Sequence, residues 1–135
     1  MTAYALTHST SWSAGIAGAP VSDWRDYDTV YTERLMKLPQ ENADGYRRTA
    51  PRFAAEHLRG RFLLIHGTMD DNVHMQNSVQ LAYELQRAGK PFEMMIYATQ
   101  RHGVTDATLD AHLARLMFDF VLSAAGIAPA ATASR

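Results

Sequence analysis

Hydrophobic residues along the chain come in two arrangements, short unbroken runs and longer stripes at helical spacing. Arg61–His66 (RFLLIH) is a continuous apolar run closed by Gly60 and Gly67, the pattern of a strand buried on both faces. Ala14–Ala19 (AGIAGA) is a run of small residues ending at Pro20, which predicts a second buried strand whose neighbours pack close, and Pro91–Tyr97 (PFEMMIY) supplies a third. Between and after these runs the spacing turns helical. Val79, Ala82, Tyr83 and Leu85 recur through Met75–Arg87 until Gly89, and Leu109, Leu113, Leu116, Met117, Phe120 and Val121 fall on one side of Ala107–Ala124. Met1–His8 reads as a helix that begins without a start signal, as though cut. In Asp23–Met36 the aromatics Trp24, Tyr27 and Tyr31 stand at i, i+3 and i+7, which predicts one helical face, with Asp23, Asp26 and Asp28 near the end where the dipole favours acids. Leu38–Arg52 carries Pro39, Gly45 and Pro51 and reads as a connecting segment with at most one short helix. The Ala-, Pro- and Ser-rich tail, residues 126–135, is expected to be disordered.

The elements alternate helix and strand, so right-handed crossovers build an α/β arrangement over residues 1–125: about three parallel strands with flanking helices. A freestanding sheet of this kind usually has more strands. The chain is therefore expected either to pair a sheet edge with another chain, a second copy included, or to be the end of something longer.

Composition narrows the function classes. The 135 residues are 47% hydrophobic and 20% charged, with 13 basic against 14 acidic residues and a formal charge of −1, so no basic surface tracks a phosphate backbone and nucleic acid is not expected as a partner. No apolar run approaches the roughly 20 residues that span a bilayer, and no membrane segment is expected. With no cysteine there is neither a thiol nucleophile nor a disulfide, and a periplasmic and a cytoplasmic setting stay equally open. His66 and His74 lack ligand spacing and are better explained by ordinary hydrogen bonds, so no metal and no other cofactor is expected.

In parallel α/β sheets the chemistry collects in loops at the carboxyl ends of strands. One such loop holds Gly67-Thr68-Met69-Asp70-Asp71-Asn72 and the next holds Arg101-His102-Gly103. An acid after one strand and a histidine after the next, with a helix between, is the order in which a carboxylate orients an imidazole base at the end of an α/β-hydrolase triad. The alternative is that Asp70 and Asp71 simply cap the following helix. Likewise the aromatic trio can be an apolar cleft for a flat ring or plain core packing. Ser11-Trp12-Ser13-Ala14-Gly15 imitates a nucleophile elbow, but Ser13 follows a helix and opens a strand, the reverse of what the elbow requires.

The residues from Leu63 to Gln76 (LLIHGTMDDNVHMQ), His102-Gly103, and the earlier Ala19–Arg34 (APVSDWRDYDTVYTER) together resemble the dipeptidyl-peptidase-IV-like serine peptidases of the prolyl oligopeptidase family. The resemblance runs from about Ala3 to Leu122. It implies part of an α/β-hydrolase domain, with Asp70 as triad acid and His102 as general base. It also implies that Val21, Trp24, Tyr27 and Tyr31 form the pocket for a proline or alanine side chain, with Asn72 and Val73 lining the substrate site. The implied substrate is a peptide with Pro or Ala in the penultimate position. The family's G-W-S-Y-G-G motif lies ahead of the part that matches Met1, so the nucleophile is expected from the remainder of the peptidase chain. These 135 residues alone are expected to be inactive. A non-catalytic module that associates by its sheet edge and a related α/β-hydrolase esterase are the other two readings. Asn72 and the W-x-x-Y pattern argue against the esterase.

Overall fold

The computed structural model describes residues 1–127, so residues 128–135, most of the tail expected to be disordered, lie outside the described residues. Three parallel strands, β1 (Ala14–Gly18), β2 (Arg61–Gly67) and β3 (Glu93–Tyr97), form one sheet with β2 in the middle. Ile16 pairs with Leu63 on one side of β2, and His66 pairs with Ile96 on the other. The unbroken apolar run of β2 follows from its position. Phe62 and Leu64 enter a core with Ala3, Leu6, Ala55, Leu58, Leu81 and Leu85, while Leu63 and Ile65 enter a second core with Tyr97 and Phe120. A strand with apolar neighbours above and below has no solvated face on which to alternate.

The first core is roofed by α1 (Thr2–His8), a 3₁₀ segment at Pro51–His57 and α4 (Gln76–Arg87). The second is closed by α5 (Ala107–Ala124), through Leu109, Leu113, Leu116 and Phe120. Met117 and Val121, predicted on the same stripe, are instead exposed at 39% and 55%. Small residues in β1 have a direct use. A Cβ on Gly15 would stand 2.6 Å from Thr2 Cγ2 and 2.9 Å from Leu6 Cδ1, closer than packed atoms tolerate, so the glycine lets α1 lie on the strand.

One expected element is not a single helix. Asp23–Met36 breaks into a 3₁₀ turn at Trp24–Asp26 and the helix α2 (Thr29–Met36), with Tyr27 and Asp28 extended between them. The reason is two competing caps: the Asp23 carboxylate accepts from the Arg25 N–H and the Asp28 carboxylate from the Tyr31 N–H, each starting its own turn. Acids counted as dipole partners of one helix are the start signals of two. The connecting segment contains α3 (Ala43–Thr49), as allowed, and the 3₁₀ segment after it carries no apolar repeat that could have announced it.

The Leu64 side chain has no exposed surface. Leu64→Ala is expected to lower unfolding free energy by about 2–5 kcal/mol in urea denaturation, since the site between strand and roof cannot collapse around the missing atoms. A loss below about 1 kcal/mol would show that the roof is loosely packed.

Candidate active site

Two loops meet at the carboxyl end of the sheet. One follows β2 and carries Asp70, Asn72 and Val73; the other follows β3 and carries His102. Backbone bonds zip them together: the Thr68 N–H donates to the Tyr97 carbonyl at 3.0 Å and the Met69 N–H to the Gln100 carbonyl at 2.9 Å. The Thr99 N–H donates to Thr68 Oγ1 at 2.9 Å, with Thr99 in the left-handed region at φ 62°. Gly67 sits where the loops touch, since a Cβ there would lie 2.3 Å from the Arg101 carbonyl oxygen. The buried Gln100 side chain accepts from the Thr105 N–H at 3.1 Å and shapes the chain beyond His102, while Asp71 and Arg101 form an exposed ion pair across the loops.

Asp70 is the point on which these contacts converge. Its Oδ1 accepts from the Asn72 N–H at 3.0 Å and the Val73 N–H at 2.9 Å, and its Oδ2 lies 3.0 Å from His102 Nδ1. The carboxylate can only accept, so Nδ1 of His102 carries a proton toward it and Nε2 is left as the basic nitrogen. The Asp70 side chain is fully buried whereas that of His102 is half exposed. The helix-capping alternative is not what forms: α4 has Met75 at its cap position and no side-chain cap bond. Burial pushes the Asp70 carboxyl up, but the bonds from His102, Val73 and Asn72, with the electrostatic attraction of the His102 ring, outweigh it and hold the group below the usual carboxylate range.

The aromatic residues also meet, though by another route than a helical face. Trp24 lies 6.1 Å from both Tyr27 and Tyr31, and the two tyrosines are 5.7 Å apart and edge to face, centroid to centroid. Tyr27 donates its hydroxyl to Asn72 Oδ1 at 3.0 Å, which joins the aromatic cluster to the acid loop. A buried pair fixes the approach from beneath: Asn77 Oδ1 accepts from the Ser22 N–H at 2.9 Å, the Ser22 hydroxyl donates to the Asn77 carbonyl at 2.7 Å, and the Asn77 amide donates to the Asp26 carbonyl at 3.1 Å. Behind the turn, buried Asp23 binds Arg25 through its Nε at 2.9 Å and Arg52 at 3.1 Å, and both guanidinium groups lie against the Phe53 ring. Burial alone raises the Asp23 carboxyl, and the Arg25 side-chain and backbone bonds with the charges of Arg25 and Arg52 reverse that and lower it.

The remaining expected residues are distributed more widely. Val21 and Trp24 line a cleft of about 470 Å³ with Ile16 and Pro20, whereas Tyr27 and Asn72 line another of about 380 Å³ with Asp71 and His74. Val73 is buried at 4% exposure and presents its backbone to Asp70, while Tyr31 is 51% exposed. Asp70 and His102 line neither cleft. Thr68, Gln100, Ser22 and Asn77 escape sequence reasoning, because nothing in periodicity marks a polar side chain that bonds backbone far along the chain. Among the described residues no cluster of three or more His, Asp or Glu side chains is placed to hold a metal ion. None of the described helices is long and apolar enough to cross a membrane.

Residues 1–128 match the family model described as "Prolyl oligopeptidase family". Dipeptidyl peptidase 4 of Bos taurus is 44% identical over 113 residues, covering 82% of this chain and 15% of that protein. Prolyl endopeptidase FAP of Homo sapiens is also 44% identical, with the same coverage of each chain. The crystal structure of Porphyromonas gingivalis dipeptidyl peptidase 4 is similar with a TM-score of 0.77 at 41% identity, over 87% of this chain and 18% of that one. The chain thus spans about 15% of the length of the curated relatives it matches.

Both depressed carboxyls predict acid sensitivity. A group held below its unfolded value of 3.8 contributes stability that is complete above that value and is lost as pH falls through the folded value. The contribution of these two carboxyls to the urea midpoint of the unaltered chain is therefore expected to be lost as pH falls below about 4. Asp23→Asn should lower the midpoint at pH 7 and flatten the acid decline. An equally steep decline in that variant would remove Asp23 from the account.

Proposed function

The chain belongs to the prolyl oligopeptidase family, and its three parallel strands with flanking helices are a portion of an α/β-hydrolase fold. From that premise we propose that it contributes the acid and the base of a Ser-Asp-His triad to a serine exopeptidase that releases N-terminal dipeptides after Pro or Ala. The observation that carries the reading is the 3.0 Å contact between Asp70 Oδ2 and His102 Nδ1, with the other carboxylate oxygen tied to two backbone N–H groups and the His102 side chain half exposed.

In this mechanism the serine comes from residues outside these 135. Its hydroxyl attacks the carbonyl of the penultimate residue while His102 Nε2 takes the proton, and Asp70 stabilises the imidazolium that results. The leaving amine then takes that proton from His102, and an acyl-enzyme remains. Water, activated by the same nitrogen, attacks the ester and frees the dipeptide. Val21, Trp24, Tyr27 and Tyr31 receive the Pro or Ala side chain, with Asn72 and Val73 beside it; the edge-to-face rings offer flat apolar walls to a pyrrolidine. By itself the chain lacks the nucleophile and is inactive.

A second reading, a non-catalytic module that pairs with another chain or a second copy, draws support from the sheet. β1 and β3 each have a single strand partner among the described residues, which leaves two edges to pair. The two readings separate at the gene. An in-frame Gly-Trp-Ser-Tyr-Gly-Gly encoded ahead of Met1 supports the peptidase, and a stop codon there supports the module.

In the full-length product of the reading frame, His102→Ala is expected to lower kcat/KM for Gly-Pro-arylamide by about 10³-fold or more. Near-normal turnover would rule out His102 as the base. The 135-residue chain alone should show no hydrolysis sensitive to a serine-directed phosphonate.

A further inference from the structure

His66 ends β2 four residues before Asp70, and its side chain is completely buried. Its two nitrogens are both engaged: Nε2 is 2.8 Å from the Val73 carbonyl oxygen and Nδ1 is 2.7 Å from Ser78 Oγ. A carbonyl can only accept, so the proton must be on Nε2. Nδ1 pairs with the Ser78 hydroxyl, which is itself buried at the start of α4. The same Nε2 lies 3.2 Å from Asp70 Oδ2, the oxygen that faces His102. The positive edge of one buried imidazole therefore touches both the carboxylate that binds His102 and the backbone of Val73.

We infer that His66 is a positioning residue of the site, an imidazole protonated on Nε2 whose N–H edge holds the Val73 carbonyl and the Asp70 carboxylate in register with His102. The inference rests on the triad reading of the preceding subsection for its consequence in catalysis. Three features support it. The carboxylate oxygen toward His102 has no backbone donor, whereas its partner oxygen has two, and besides His102 it is the His66 edge that lies against it. The Val73 N–H and carbonyl are both tied, one to Asp70 and the other to His66, so the loop segment is clamped at both ends of a single residue. The Val73 carbonyl selects the tautomer, because Ser78 Oγ can pair with Nδ1 in either form whereas an Nδ1–H ring would leave that carbonyl buried without a donor. Indirect support of this kind typically matters by about 10- to 100-fold where the group it holds must be placed within a fraction of an ångström.

The test uses ¹⁵N-labelled 135-residue chain and reads the two histidine rings directly by NMR. His66 is expected in the Nε2–H form, and His102 is expected to show a low-field Nδ1–H proton from its bond to Asp70. That resonance should persist in His66→Gln, whose amide nitrogen can stand in for Nε2, and disappear in His66→Phe, with folding followed by the backbone amide spectrum. An Nδ1–H form of His66, or an unchanged His102 resonance in folded His66→Phe, overturns the inference. If His66→Phe does not fold, the unaltered chain decides by its tautomer: Nε2–H at His66 supports the inference and Nδ1–H overturns it. None of these signals requires hydrolysis. A full-length protein that fails to cleave peptides sinks the triad reading alone, while an unmoved His102 resonance sinks the role of His66 alone.

Discussion

Taking a carboxylate out of water costs several kcal/mol unless other groups replace the lost hydrogen bonds, and Asp70, fully buried, meets that requirement with donors drawn from three parts of the chain. Two are backbone N–H groups of its own loop, one is the imidazole of the next loop, and the N–H edge of His66 lies beside the outer oxygen. Each donor is placed by something else: Asn72 and Val73 by the turn after β2, His102 by the zipper between loops, His66 by Ser78. The need to solvate one charge thereby specifies the carboxyl end of the sheet. It also explains the order of the elements, because only adjacent parallel strands bring their following loops side by side.

A second buried carboxylate has the same relation to the aromatic cluster. Asp23 is held by two arginines from different segments, and the turn it caps carries Trp24 into contact with Tyr27 and Tyr31. Ser22 and Asn77 fasten that turn to the start of α4, the helix whose first turn meets His66 at the end of β2. The apolar wall and the acid loop are thus parts of one hydrogen-bonded frame, linked again at Tyr27 and Asn72. A family relationship over residues 1–128 gives the arrangement its context, and the frame shows how so short a stretch keeps the site's geometry.

Much of this was legible in the residues. Arg61–His66 announces a central strand because burial on both faces leaves an unbroken apolar run, and the loops that follow it and Tyr97 are where an acid and a histidine can meet. The aromatic trio was legible as a cluster but not as a shape. Spacing of i, i+3 and i+7 suggested a helix, whereas Asp23 and Asp28 each cap a separate turn and the rings converge across the break. Periodicity carries information about burial and almost none about which polar side chain answers a distant backbone group. That is why Gln100, Thr68 and Asn77 went unmarked, and why His66 could be read as a satisfied histidine but not as one touching Asp70.

The account stands on the claim that Asp70 and His102 serve a serine supplied by the same polypeptide. A crystal structure of the full-length product after reaction with a Gly-Pro phosphonate tests it directly. The predicted result is a phosphonylated serine whose oxygen lies within about 3 Å of His102 Nε2, with the pyrrolidine ring against Trp24, Tyr27 and Tyr31. An adduct on a residue out of reach of His102, or a proline ring lodged away from those aromatics, would contradict it.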